Sequence, residues 1–134
     1  MDTITLLKPS GLVASPAFSH VAVVPPGATM IYVGGQNSVD ESGALVGGAD
    51  AAAQTRRTMA NLVTALEAAG AHLGDVISMT VLMVEGVDVN AAYGAAAESL
   101  AALQTPPLVT AAIVSALGVP GALVEVGAVA AVLR

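Results

Sequence analysis

The sequence predicts an α+β fold: one mixed β-sheet with two helices laid on one of its faces. Three observations predict it. Two stretches, from Asp50 to Gly70 and from Asp88 to the pair Pro106-Pro107, repeat apolar residues at helical spacing, whereas the other apolar runs are short, β-branched and bounded by Gly or Pro. One of those runs, "VISMTVLMV", is apolar on both faces, the pattern of a strand covered on both sides. The composition is 55% hydrophobic and 10% charged, far below the roughly 25% charge of an average soluble domain. At 134 residues the chain favours one domain, 1–134.

"HVAVV" and "MIYVGG" read as strands, and "PPGAT" between them as the turn of a hairpin. Turn chemistry follows at Asp40 to Gly43, with a short strand expected at Ala44–Val46. Asp50 is the N-cap of the first helix; Met59, Leu62, Val63, Leu66 and Ala69 form its apolar stripe, and Gly70 stops it. Arg56, Arg57 and Glu67 fall mostly on its wet side. Val76–Val84 is the two-sided strand. Asp88 caps the second helix, whose expected stripe is Val89, Ala92, Tyr93, Ala96, Ala97 and Leu100. Pro106-Pro107 ends it. Two strands, "LVTAAIVS" and "ALVEVGAVAAVL", complete the chain, joined at "LGVPG".

Two helices can cover only one face of such a sheet. The run Ser99–Val124 contains no Asp, Glu, Lys or Arg, yet Gln104, the proline pair, Gly118 and Pro120 interrupt it well short of the ~20 apolar residues a spanning helix needs. No membrane is therefore expected as partner, and the bare sheet face is expected to close on further copies of the chain. The N-terminal "MDTITLLKPSG" has an acid at Asp2, no basic segment and only a brief apolar run, unlike a signal peptide, so a cytoplasmic location is expected. No cysteine is present, which excludes disulfides, thiolate nucleophiles and Cys-based metal sites. His20 and His72 lack ligand spacing and read as local hydrogen-bonding residues, so no metal is expected. The formal net charge is −6 with four basic residues, Lys8, Arg56, Arg57 and Arg134. Nucleic-acid binding draws its affinity from neutralised phosphates, and no nucleic acid is expected as partner.

Several stretches, in order, resemble the RidA family, also named YjgF or L-PSP endoribonuclease-like. "YVGGQNSVDESGALVGGADAAAQTRRTMANLVTALEAAGAHLGDVISMTVLM" resembles its strand–SGQ–turn–G–helix–AG–strand block, and "VNAAYGAA" its N-x-x-Y helix. "PPLVTAAIV" stands where the family has P-A-R-S, and "ALVEVGAVA" resembles its closing V-E-I-E-A-I-A strand. The resemblance implies a chorismate-mutase-like subunit and a homotrimer with sheets packed around the threefold axis. It implies small-molecule clefts between neighbouring subunits, which in the family hydrolyse reactive enamines and imines such as 2-aminoacrylate, without metal or organic cofactor.

The resemblance also implies site residues. The family's carboxylate-binding Arg position falls here on Val109, with no Arg or Lys within ten residues; the serine of SGQ falls on Gly34. Losing the charged partner of a buried carboxylate typically costs about 2–5 kcal/mol, so the 2-imino-acid activity is expected to be weak, altered or lost. Glu125 takes the position of the acid thought to position water. It is the last acid in the chain and lies in an apolar strand, where a carboxyl group either works as acid or base, or caps loop amides or sits at an exposed sheet edge. Phe18, Gly34, Gly35, Asn90, Val109 and Thr110 are the expected substrate-binding residues. Each has a plainer reading: Phe18 as an interface plug, the glycines as a bulge, Asn90 as a loop tie, Thr110 as an ordinary strand residue. Tyr93 reads first as core packing. An uncharged cleft of Phe18, Leu108 and Val109 suits a neutral, partly apolar molecule; the other reading is a binding or regulatory trimer without turnover.

Overall fold

Asp50 and Asp88 start the two helices as expected. Each carboxylate accepts the N–H of the third residue on, Ala53 and Ala91, at 3.0 Å. The structure, a computed structural model, describes residues 3–134, so Asp2 lies outside it. Helix α1 spans Ala51–Ala68 and α2 Val89–Leu100. The strands are β1 (Thr5–Leu7), β2 (Val21–Val23), β3 (Thr29–Gln36), β4 (Val76–Val84), β5 (Leu108–Val114) and β6 (Val124–Val132). A 3-10 turn, Leu73–Asp75, precedes β4.

The main sheet runs β3-β6-β4-β5 and is mixed: β6 is antiparallel to β3 and β4, and β5 is parallel to β4. Met59, Leu62 and Leu66 of α1 are at most 1% exposed and pack against Val76, Met79, Val126, Ala128 and Ala130. Each such side chain contributes about 1.5–3 kcal/mol by leaving water. A second cluster joins Ala51 of α1 and Ala92 of α2 to Val124. Both helices thus serve one face, and α2 reaches the sheet through alanines.

Three expectations are corrected. The "HVAVV"/"MIYVGG" hairpin does not form, because β2 pairs with β1, a strand not expected, while β3 pairs with β6. Ala44–Val46 is no strand; one isolated bridge, Val39 to Leu45, closes the turn. The α2 stripe is rotated: Ala92 and Ala95 are buried, whereas Val89 and Tyr93 are 42% and 57% exposed. A helix that packs through small residues presents no large side chain for the periodicity to register.

The face away from the helices is apolar and open. Alternation from the buried positions puts Met30, Tyr32, Leu82 and Val129 on it; Met30 and Tyr32 are 37% and 76% exposed. Among the described residues, no helix is long and apolar enough to cross a membrane.

Candidate functional site

Glu125 comes into the candidate site from β6. Its neighbours Val124 and Val126 are buried under the helices, so Glu125 and Gly127 face the open side of the sheet. There β3 carries one residue more than β6: Val33 pairs with Ala128 and Gln36 with Val126, leaving Gly34 and Gly35 together opposite Gly127. This is the β-bulge expected of the two glycines. The Glu125 side chain lies across it. A Cβ built on Gly35 would come 2.5 Å from Oε2 and 2.7 Å from Cδ, whereas one on Gly34 would meet nothing within 4 Å. Gly35 makes room for the carboxylate; Gly34 serves the bulge alone. Gln36 donates back to Gly34 O at 3.1 Å.

One side chain that sequence reasoning missed touches this acid. Asn37, 9% exposed, donates from Nδ2 to Val124 O at 3.0 Å and to Glu125 Oε1 at 3.5 Å. Asn61 of α1 donates to the backbone carbonyls of Asn37 (2.9 Å) and Val39 (2.8 Å), and Arg57 Nε donates to Asn61 Oδ1 at 3.1 Å. Arg57, expected on a wet helix face, is half-buried in this network. Gln54 was missed as well. It is wholly buried, donates to Gly48 O and Gly121 O, and accepts from Leu123 N, so it ties α1 to the loop leading into β6. The signal was available: Gln54 lies on the same helical stripe as Leu62 and Leu66, where a polar residue must find partners.

A second group gathers where the N-terminal loop meets β5. Ser19, 3% exposed, donates its hydroxyl to Pro106 O at 2.6 Å and its N–H to Pro107 O at 3.0 Å, and bridges Leu108 in parallel. This sets half-buried Phe18 beside the start of β5; its ring meets His20 edge-on at 5.4 Å. His20 bonds Val13 O, a local role as expected. Val109 pairs with Met79, a core residue of the helix-covered face, whereas Thr110 pairs with Thr80 and lies on the open face with Glu125. Within one chain, Val109 and Glu125 therefore stand on opposite faces of the sheet. Asn90 is exposed in the first turn of α2 and touches neither group through a side-chain hydrogen bond.

The cations are engaged elsewhere. Arg56 pairs with Glu98 at 3.1 Å, Lys8 bonds Ser15 O, and Arg134 bonds Ala69 O. Among the described residues, none forms an ion pair with Glu125, and no group of three His, Asp or Glu could hold a metal ion. Hollows among the described residues lie elsewhere. One of about 380 Å³ lies between Leu6, Ile77 and Leu103, the other of about 470 Å³ between Asp50, Glu85 and Asp88; neither includes Glu125.

The sequence matches the family model described as Endoribonuclease L-PSP over residues 10–132. The chain belongs to the L-PSP family. Solved structures agree. YyfB of Yersinia pestis, a Rid family protein of unknown function, is 28% identical with a TM-score of 0.85, over 98% of this chain and 100% of that one. A Mycobacterium tuberculosis member of the YjgF/YER057c/UK114 family is 25% identical with a TM-score of 0.65, over 97% and 100%. The YjgF gene product of E. coli is 27% identical with a TM-score of 0.68, over 80% and 83%. No curated protein matches. Glu125 is the one acid of β6, and Gly127 follows it on the same face of the strand.

Proposed function

We propose that this L-PSP family member forms a homotrimer whose seams hold small-molecule clefts, and that it hydrolyses a reactive imine or enamine lacking a carboxylate. The observation that carries this reading is Glu125: a carboxylate laid over a glycine bulge on an open apolar face, with no cation paired to it. Two further points support it. Met30, Tyr32 and Leu82 make the open face a surface that gains from burial against another copy. Val109 and Glu125 occupy opposite faces of one sheet, so a single pocket holding both needs a second chain.

The chemistry asks little of the protein. Water adds through oxygen to the carbon of the protonated C=N, the π pair moves to nitrogen, and Glu125 takes one water proton, leaving a neutral carbinolamine. Glu125 returns that proton to the nitrogen, then takes the carbinolamine hydroxyl proton as C–N breaks and C=O forms; the ammonia released carries this last proton away as ammonium and frees the carboxylate. Val109 supplies no charge for an acid group, so the substrate is neutral near that position. RNA, which the family description names, is a poor fit to a chain of net charge −6 with four basic residues.

The test generates imines in solution and follows ammonia and carbonyl product. Neutral imines are expected to turn over, with Glu125→Gln losing at least tenfold, and 2-aminoacrylate to react slowly. Val109→Arg is expected to gain binding of small carboxylates. Fast release of pyruvate from 2-aminoacrylate overturns the reading of Val109; ligand binding without any turnover favours a binding trimer; a lone subunit by sedimentation removes the clefts altogether.

A further inference from the structure

Every acid that works as a base must be held, and a Glu side chain, half-buried here, is not held by its own covalent geometry. It has three rotatable bonds and loses about 1.5–2 kcal/mol of rotamer freedom when fixed. Around Glu125 the bulge supplies space but no partner: Gly34 and Gly35 have no side chains, and Gly127 none either. Among the described residues, the one side chain that hydrogen-bonds the carboxylate is Asn37.

We infer that Asn37 is the positioning residue for Glu125, holding its carboxylate over Gly35 from a socket built by α1. This rests on the proposed role of Glu125 as the base. The Asn37 amide nitrogen has two hydrogens, and its two partners, Val124 O and Glu125 Oε1, can only accept. The orientation of the amide is thereby fixed without choice. The first bond, at 3.0 Å, anchors Asn37 to the peptide unit that joins Val124 to Glu125; the second, at 3.5 Å, turns toward the carboxylate tip. Asn37 cannot drift, because Asn61 grips its carbonyl from α1 and Arg57 grips Asn61. Oε1 is so tethered while Oε2 lies over the Gly35 Cα, its closest approach being the space a methyl would fill. The arrangement leaves the carboxylate a narrow range of angles, as a base acting on a bound water requires.

The test reads the side chain itself. In the native protein, three-bond couplings of Glu125 are expected to report one fixed rotamer; in Asn37→Ala, averaged rotamers. Asn37→Asp, which keeps the shape but offers no hydrogen to the carboxylate at neutral pH, is expected to behave likewise if Asn37→Ala folds poorly. A single rotamer retained in a folded variant overturns the proposal. With an imine substrate, Asn37→Ala is expected to lower kcat about tenfold with KM within twofold, and to lower it no further in a Glu125→Ala background. Equal losses in both backgrounds would mean that Asn37 supports the fold and not the acid, and also overturn it. No turnover in the native protein, with the couplings as expected, defeats the proposed reaction and leaves the positioning intact.

Discussion

The Glu125 carboxylate and the Gly35 Cα are in such close contact that no side chain fits between them: Oε2 would stand 2.5 Å from a Cβ at that position. The backbone of Gly35 does not need a glycine on conformational grounds, since its φ is outside the left-handed region. The glycine is required by what lies above it. Space and base are a matched pair on adjacent strands, set in register by the bulge that puts Gly34 and Gly35 opposite Gly127.

Gly35→Ala therefore separates site from fold. The methyl must push the carboxylate aside and off its 3.5 Å bond to Asn37, but the displaced side chain can turn into the open face, so stability should fall by only about 1 kcal/mol. Displacing a catalytic group by an ångström costs up to about 100-fold. Imine turnover is expected to fall steeply while the urea midpoint stays near native; Gly34→Ala, with open space around it, should leave turnover within a few-fold.

Gln54→Leu should be among the most damaging substitutions. It keeps most of the volume and orphans three buried backbone groups, Gly48 O, Gly121 O and Leu123 N. At about 1–3 kcal/mol for each unsatisfied group, discounted for partial rehydration, the loss should be about 3 kcal/mol or more by urea unfolding. A cost below about 1 kcal/mol would show that the loop is not held through Gln54.

Thr58→Val should stabilise. Thr58 is fully buried in α1 and its hydroxyl has no partner among the described residues. Replacing it with a methyl of similar size removes an unmet polar group and is expected to raise stability by about 1 kcal/mol.

Asp40 gives a pH dependence of known sign. The Ser42 hydroxyl at 2.7 Å, the Ala44 N–H and the Ser42 N–H hold its carboxyl below the usual aspartate range, with Arg57 adding to the effect. A depressed folded-state value means that the unfolded chain takes up this proton first. The contribution is fully present above the unfolded pKa of about 3.9 and is lost as pH falls through the lower folded value. Asp40→Asn should be less stable than native near neutrality, and the gap should close as the solution is taken to acid.

What could be read from the residues follows from which signals are local. The caps at Asp50 and Asp88, the Met59, Leu62 and Leu66 stripe of α1 and the strand β4 are set by neighbours in sequence, and each stands where the pattern put it. Pairing partners are not local. The turn chemistry of "PPGAT" suits a hairpin, but β3 has the longer and more apolar match in β6, so β2 is left to β1. The place of Glu125 on the uncovered face was legible from strand alternation, and its bulge from two glycines. Asn37 was not, because the acceptors that fix it, Val124 O and Glu125 Oε1, are eighty-seven and eighty-eight residues away. Tyr93 misled for a different reason: in a helix of alanines, the one large ring looks like the core residue although the small ones carry the contact.

The sheet ends at β5, and past the Ser19 bridge to Leu108 its outer rim, from Thr110 to Val114, offers bare amides and carbonyls flanked by the exposed Ala111, Ala112 and Ile113. No lysine or proline interrupts this margin, the devices by which strand rims usually repel their own kind. A newly made copy therefore carries a template for endless lateral stacking. Left uncovered, that margin makes the chain more prone to self-association as its concentration rises.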